Sequence, residues 1–125
     1  MSGSLAQVLL VAAGGATGAV GRFLLGSGLG GLIGGPWPTL AINVAGSLCI
    51  GVVVGWASGA PWFESWGRLL LVTGVLGGFT TYSAFAIETV SLFSAGRAAT
   101  AAGYALVTLV GCIAAAWLGS RLTGA

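Results

Sequence analysis

Long uncharged stretches constrain this chain more than any other feature of its sequence. Its basic residues are Arg22, Arg68, Arg97 and Arg121, and together with two acidic residues they bound uncharged runs of 21, 41, 19 and 23 residues. One helical crossing of a bilayer takes about 20 predominantly apolar residues, and 57% of this chain is hydrophobic. The sequence therefore predicts an all-α integral membrane protein with four transmembrane helices.

Glycine, proline and tryptophan residues occur in these runs at the positions where helices are expected to end. The first run has the apolar character of a signal peptide but lacks a basic start, so we expect a first transmembrane helix there. Tryptophans favour the headgroup level, and Trp37, Trp56, Trp62, Trp66 and Trp117 all fall at expected helix ends. The chain is expected to form one membrane domain over 1–125, with spans at about 4–25, 37–57, 66–92 and 98–120.

The third span carries an unusual polar interruption. Residues 73–85 read TGVLGGFTTYSAF, in the middle of the 19 residues that separate Arg68 from Glu88. Broken helices at membrane depth are tolerated only where the freed backbone groups find partners or line a cavity. We therefore expect helix three to be broken near Gly77-Gly78. In two copies meeting back to back, the exposed carbonyls would surround one cation on the symmetry axis.

Two further rows of polar side chains recur every four residues, which places each row on one helical face. Helix two carries Thr39, Asn43 and Ser47, and helix four carries Thr100, Tyr104, Thr108 and Cys112. Such groups often bond back to their own helix or join helices. Alternatively, the rows form tracks of hydrogen-bond donors that hold a small anion, because no carboxylate lies in either row. The ring edges of Tyr82 and Phe85 are electropositive and therefore suited to an anion. Alternatively, the two rings, three residues apart on one helix, pack against each other.

The arginines are evenly divided between the two sides of the membrane. With four crossings, Arg68 and Arg121 share the N-terminal side, and Arg22 and Arg97 lie opposite. Orientation follows an excess of Lys and Arg on one side, so this chain is expected to insert in both directions and pair as an antiparallel dimer, unless a partner sets its orientation. Small residues at four-residue spacing favour close helix contacts; they are Gly14/Gly18, Ser47/Gly51/Gly55/Gly59 and Gly74/Gly78.

The composition excludes most enzymatic chemistry. The chain has neither His nor Lys to activate a serine or thiol nucleophile, so an intramembrane hydrolase is disfavoured and no enzyme is expected. Two distant cysteines, Cys49 and Cys112, do not make a transition-metal site within one chain and are expected to pack. Glu88 is expected to snorkel or to pair with an arginine, Arg97 or Arg22, rather than to take part in gating. It also supports an alternative, a small dual-topology proton-coupled exporter of cationic compounds.

Three sequence stretches are similar to those of a known family. The broken-helix motif GGFTTYSAF, the GRFLLG after helix one and the PTLAINVAGS of helix two resemble the CrcB/Fluc fluoride channels, and the resemblance covers essentially the whole chain. It implies a passive fluoride-selective channel in the cell inner membrane, which exports fluoride and lowers its intracellular concentration. It also implies an antiparallel dual-topology homodimer in membrane lipid, with two pores and no nucleic-acid partner.

The resemblance also implies roles for individual residues. Gly77 and Thr80 are expected to offer main-chain carbonyls to a structural sodium ion at the dimer centre, and Arg22 is expected to mark the vestibule end of helix one. The implied fluoride pathway contains Thr39, Asn43, Tyr82, Ser83, Phe85, Tyr104, Thr108 and Cys112.

This chain departs from the family pattern at three positions. The usual TTFSTF reads TTYSAF here, so Tyr82 replaces a phenylalanine and Ala84 a threonine. Cys112 stands where a hydroxyl is common, and a thiol is a weak donor. The hydroxyl of Tyr82 adds a polar group at a narrow point, where it is expected to slow or redirect conduction.

Overall fold

The computed structural model describes residues 3–124 of the chain. Four helices in this range are long and apolar enough to cross a membrane: α1 (Gly3–Gly30), α2 (Trp37–Ala57), α3 (Phe63–Ser94) and α4 (Ala98–Leu122). The described residues form helices and connecting turns and contain no strand. The prediction of an all-helical membrane domain with four spans is therefore confirmed at this level.

The third helix is broken, as expected, but the break lies at Thr80-Thr81 and not at Gly77-Gly78, which are still helical. Its first half, α3a, consists of a π-helical segment, Phe63–Leu76, and one further turn, Gly77–Phe79. Thr80 and Thr81 are extended, and the second half, α3b, then spans Tyr82–Ser94. The polar cluster of the sequence thus lies at the break and opens α3b.

Glycines bring α1 against α3a with almost no side chain between the two backbones. A Cβ atom built on Gly74 would lie 2.9 Å from the Cα of Gly14, and one built on Gly78 would lie 3.0 Å from the Cα of Gly15. Any larger residue at these positions requires one helix to move. The small-residue spacing on α1 and α3 therefore does correspond to close helix contacts.

The second close pair is α2 and α4. A Cβ on Gly51 would lie 2.9 Å from the backbone nitrogen of Ser120, and one on Gly119 would lie 2.8 Å from that of Val52. Gly59, the last member of the predicted series on α2, lies beyond the end of this helix, with φ at 86°. There its role is to turn the chain, because side-chain-bearing residues rarely adopt positive φ.

The most buried apolar cluster lies where α3b meets α4. Leu92, Ala101 and Tyr104 are buried together, with Leu40 and Phe85 packed against them. Most other large apolar side chains are exposed, as expected for helices that face lipid. This small core orients α3b, and with it the aromatic residues that follow the break.

Candidate ion pathway at the helix break

Asn43 pairs with the main chain at the break. Its Nδ2 donates to the carbonyl oxygen of Thr81 at 3.0 Å, and its Oδ1 accepts from the Thr81 N–H at 2.8 Å. Asn43 is only 7% exposed. One carboxamide thus replaces both backbone partners that an unbroken helix would have offered Thr81, which is what a break at membrane depth requires.

The two threonines of the break also hydrogen-bond locally. Thr80 donates from both its N–H (3.0 Å) and its hydroxyl (2.9 Å) to the carbonyl of Leu76. The Thr81 hydroxyl accepts from the N–H of Ala84 at 3.1 Å, so Thr81 is the N-cap of α3b. N-capping by threonine satisfies one of the unpaired donors of a helix start. The TT dipeptide therefore ends one half of α3 and begins the other.

Two main-chain carbonyls at the break accept no hydrogen bond from the described residues. Within residues 3–124, no hydrogen bond reaches the carbonyl oxygens of Gly77 and Thr80, the two residues predicted to face a sodium ion. The neighbouring carbonyl of Gly78 accepts from Nε of Arg22 at 3.2 Å. Arg22 lies within α1, which continues to Gly30, and not at the end of the helix.

Gly46 is a residue of this site that the sequence analysis did not identify. A Cβ at this position would overlap the methyl group of Thr80 and lie 3.2 Å from Cδ2 of Phe79. The break therefore packs directly onto the backbone of α2, one turn after Asn43. Its spacing from Asn43 could have identified it, because Gly46 lies three residues after Asn43 and therefore on the same face of α2.

A groove of about 570 Å³ runs between the break, α2 and α4. Among its lining residues, Thr108 is only 8% exposed, and its Oγ1 has no hydrogen-bond partner in the described structure. Buried hydroxyls are normally paired, so this one indicates a missing partner. The polar lining residues are Asn43, Ser47, Thr80, Thr81, Tyr82, Thr108 and Cys112; Gly77 and Phe85 also line the groove.

Aromatic rings form a continuous series beside this groove. The rings of Tyr82 and Phe85 meet edge to face with centroids 5.5 Å apart, and Phe85 lies 5.3 Å from Tyr104. Trp37 meets Tyr104 edge to face at 5.8 Å. Phe85 is thus held between two aromatic neighbours, while the ring of Tyr82 is 81% exposed on the surface of this single chain.

Glu88 does not pair with an arginine, so that expectation was wrong. Its Oε1 accepts from the hydroxyl of Thr39 at 2.7 Å, and its Oε2 accepts from the hydroxyl of Tyr104 at 2.8 Å. In the part of the chain that the structure describes, the one ion pair joins Arg68 and Glu64 at 3.2 Å. Two neutral hydroxyls from α2 and α4 therefore satisfy Glu88, because the fold brings them closer to it than any arginine.

The predicted pathway residues thus fall into two groups, with Ser83 outside both. Asn43, Tyr82, Phe85, Thr108 and Cys112 line the groove. Thr39 and Tyr104 belong to the cluster around Glu88. Ser83 is exposed, with its hydroxyl 3.4 Å from that of Thr81, and is not among the groove residues.

The fold and this site define a multi-pass α-helical membrane protein in which a helix break borders a groove with polar, uncharged lining groups. A family model described as "CrcB-like protein, Camphor Resistance (CrcB)" matches residues 9–120. The chain therefore belongs to the CrcB family.

Curated relatives cover most of the chain. A protein of Agrobacterium fabrum named "Fluoride-specific ion channel FluC" is 46% identical over 118 residues, which is 93% of this chain and 94% of that protein. Proteins with the same name from Bordetella avium and Novosphingobium aromaticivorans are 44% and 47% identical, covering 89% and 87% of this chain and 87% and 89% of their own lengths.

Proposed function

We propose that this protein is a fluoride-selective passive ion channel. The observation that carries the proposal is Thr108, a residue that lines the groove and whose buried hydroxyl has no hydrogen-bond partner among the described residues. A desolvated hydroxyl is costly unless something accepts its hydrogen bond. Curated relatives are named fluoride-specific ion channels, which supports fluoride as the species that accepts from this hydroxyl.

The chemistry of the groove suits a small anion. Asn43 uses one of its two amide N–H groups on Thr81, which leaves the second for a ligand. Thr108 adds a hydroxyl, and no carboxylate lies among the described groove residues. Fluoride is the smallest halide and the strongest hydrogen-bond acceptor among them. Each hydrogen bond from a neutral donor is therefore shorter and stronger to fluoride than to chloride.

The aromatic residues contribute without adding charge. The edge of an aromatic ring is electropositive, and Phe85 is held in place between Tyr82 and Tyr104. Fluoride passing along the groove would meet ring edges rather than a fixed cation. Weak attraction of this kind favours rapid passage, because conduction requires that the ion leave as readily as it enters.

The functional unit is proposed to be an antiparallel dual-topology homodimer with two pores. The balanced arginines support insertion in both directions, and the groove of the single chain is open on one side, where the exposed ring of Tyr82 lies. A second copy would close the groove. Lipid would surround the remaining apolar faces.

A structural sodium ion is proposed at the centre of this dimer. The carbonyl oxygens of Gly77 and Thr80 accept no hydrogen bond within the described residues, and oxygen ligands suit a hard cation. These residues fit sodium for that reason. The ion would supply positive charge between the two halves of the dimer, while the break itself is held by Asn43.

The cellular role that follows is protection against fluoride. A passive channel in the inner membrane would let fluoride leave down its gradient and would lower the intracellular concentration. No chemical conversion is involved, so the protein is proposed to act as a channel and not as an enzyme.

A proton-coupled exporter of cationic compounds is not favoured. Such a protein needs an accessible membrane carboxylate. Both oxygens of Glu88 accept hydrogen bonds, from Thr39 and Tyr104, and Glu88 is not among the residues that line the groove. The relatives are also named as channels for an anion.

The test is fluoride efflux from potassium fluoride-loaded liposomes, with valinomycin carrying potassium. We expect fast fluoride loss, no loss of chloride from matched vesicles, and slower fluoride loss with Thr108→Val, which removes the hydroxyl at nearly constant shape. Ser91→Ala is the matched control, because the Ser91 hydroxyl is exposed and bonds back to its own helix. Equal fluoride and chloride loss, or no loss from folded protein, would refute the proposal.

A further inference from the structure

Arg22 is a charged residue whose contact lies deep inside the membrane domain. Its Nε donates to the carbonyl oxygen of Gly78 at 3.2 Å, and its side chain is half-buried. Gly78 lies halfway along α3, which is 32 residues long, so this contact is near the middle of the membrane. Arginine at such depth is costly and usually functional, and main-chain carbonyls are among its usual partners. Among the described residues, Arg22 has no carboxylate partner.

The packing of α1 on α3a explains why Arg22 reaches this carbonyl. A Cβ atom built on Gly18 would lie 2.8 Å from the backbone nitrogen of Phe79, and Arg22 follows Gly18 by one turn on the same face of α1. As the first and third spans, α1 and α3 run in the same direction through the membrane. Helical side chains lean toward the N-terminus of their helix, whereas helical carbonyls point toward the C-terminus. The guanidinium of Arg22 and the carbonyl of Gly78 therefore approach each other.

The carbonyl that Arg22 holds belongs to the end of α3a. The last turn, Gly77–Phe79, is followed by Thr80 and Thr81 in extended conformation. The C-terminal end of a helix carries partial negative charge, which a nearby cation stabilises. Two consecutive glycines have unusual backbone freedom, so the peptide unit after Gly78 would reorient without a fixed partner. Arg22 supplies both a donor and a positive charge where α3a ends.

We propose that Arg22 is a positioning residue for the helix break. It fixes Gly78 from α1, as Asn43 fixes Thr81 from α2. Tyr82, which follows these contacts directly, lines the groove, whereas Arg22 is not among the groove residues. Arg22 thus acts on the ion pathway through the main chain and not by attracting an anion. This consequence for transport rests on the proposed function.

Three substitutions separate the hydrogen bond from the charge. In Arg22→Gln, the amide nitrogen stands at the same position along the side chain as Nε, so a donor remains and the charge is lost. Arg22→Met has similar length and lacks both. Arg97→Met is the matched control, because Arg97 is exposed and its side chain makes no capping bond. Arg97 and Arg22 are expected on the same side of the membrane, so both methionine variants change the arginine balance equally.

The first readout is the Gly78 carbonyl itself. Gly78-Phe79 is the one Gly-Phe pair in the sequence, so carbonyl ¹³C in glycine and ¹⁵N in phenylalanine give a single amide-to-carbonyl NMR peak. Loss of a hydrogen bond moves a carbonyl carbon upfield. We expect this shift in Arg22→Met, and carbon positions close to wild type in Arg22→Gln and Arg97→Met. An unshifted carbon in folded Arg22→Met, or the same upfield shift in Arg22→Gln, would overturn the proposal. If Arg22→Met does not fold, Arg22→Gln alone decides it.

Hydrogen exchange measured on the same peak gives the magnitude. A hydrogen bond to a charged group changes an equilibrium by a factor of about 10 to 150. The amide of Phe79, in the last turn of α3a, should exchange faster by about this factor in Arg22→Met and at the wild-type rate in Arg97→Met. Wild-type exchange in folded Arg22→Met would show that Arg22 does not hold the end of α3a.

The second readout is fluoride efflux from liposomes. We expect slower efflux in Arg22→Met than in Arg22→Gln, and the wild-type rate in Arg97→Met. Equal slowing in the two Arg22 variants would show that the charge attracts the anion, which would overturn the positioning role in transport. Wild-type protein without efflux would contradict the proposed function alone, because the carbonyl peak is measured without transport.

Discussion

Replacement of Asn43 by leucine should release the break of α3 from α2. Leucine has nearly the same shape and neither accepts nor donates, so Thr81 would lose the bonds of 3.0 and 2.8 Å to its carbonyl oxygen and N–H. Interhelical hydrogen bonds in membranes contribute about 0.6 kcal/mol on average and about 1.7 at most. Two of them give a loss of about 1–3 kcal/mol, which is a roughly 5- to 150-fold change in the opening equilibrium.

Hydrogen exchange at the Thr81 amide measures this change directly. In lipid nanodiscs, the amide of Thr81 should exchange faster in Asn43→Leu by the same factor, while amides in the middle of α4 keep their protection. Ser91→Ala is the control, because it removes an exposed hydroxyl bond within one helix and should leave Thr81 unchanged. Wild-type protection of Thr81 in folded Asn43→Leu would refute the reasoning.

If Asn43→Leu does not fold, Asn43→Asp provides a complementary test. Neutral aspartic acid has nearly the same shape as asparagine and keeps both an oxygen that accepts from the Thr81 N–H and an O–H that donates to the Thr81 carbonyl. Protection of the Thr81 amide should then be largely retained. Loss of that protection in folded protein would contradict the role of these two bonds.

Three further substitutions test other parts of the structure. Gly51→Ala should lower the thermal midpoint, at a cost of about 1–3 kcal/mol, because its Cβ would overlap α4; Gly103→Ala, which meets open space, should not. Glu88→Gln loses one acceptor and should destabilise the protein by ~1 kcal/mol while fluoride efflux remains measurable; total loss of transport from folded protein would favour the proton-coupled exporter. Tyr82→Phe should speed fluoride efflux, because it removes a hydroxyl from a residue that lines the groove; a slower rate would assign the hydroxyl a positive role.

The failed expectation for Glu88 shows how far charge alone predicts contacts. The sequence predicts an ion pair between Glu88 and an arginine, because an acidic group near the end of a span usually pairs with a basic one. The fold instead places Thr39 and Tyr104 at 2.7 and 2.8 Å. Thr39 belongs to the polar row of helix two and Tyr104 to that of helix four. The four-residue spacing of a row does not show which of its residues contact another helix.

Arg22 differs from its expected position for a related reason. A charged residue after an apolar run marks the end of a span by composition, yet α1 continues beyond it to Gly30. Its guanidinium reaches the carbonyl of Gly78 at 3.2 Å, and that acceptor is free only because α3 is broken there. No pattern within α1 itself carries this information.

Several features of this protein follow from its sequence alone, because they depend on local composition. Runs of about 20 apolar residues between charges predict the four spans, and the Gly77-Gly78 pair predicts a break in α3, which the structure places a few residues later at Thr80-Thr81. The alignment of each polar row is also local, since residues at four-residue spacing share one helical face whatever surrounds them.

The tertiary structure decides which polar group meets which. Asn43 reaches Thr81 across 38 positions of the chain, and Thr39 and Tyr104 converge on one carboxylate from different helices. Thr108 has a free hydroxyl because no neighbouring helix offers it a partner among the described residues. Such long-range pairings depend on how close two backbones approach, and glycine contacts between α1 and α3a and between α2 and α4 set that distance.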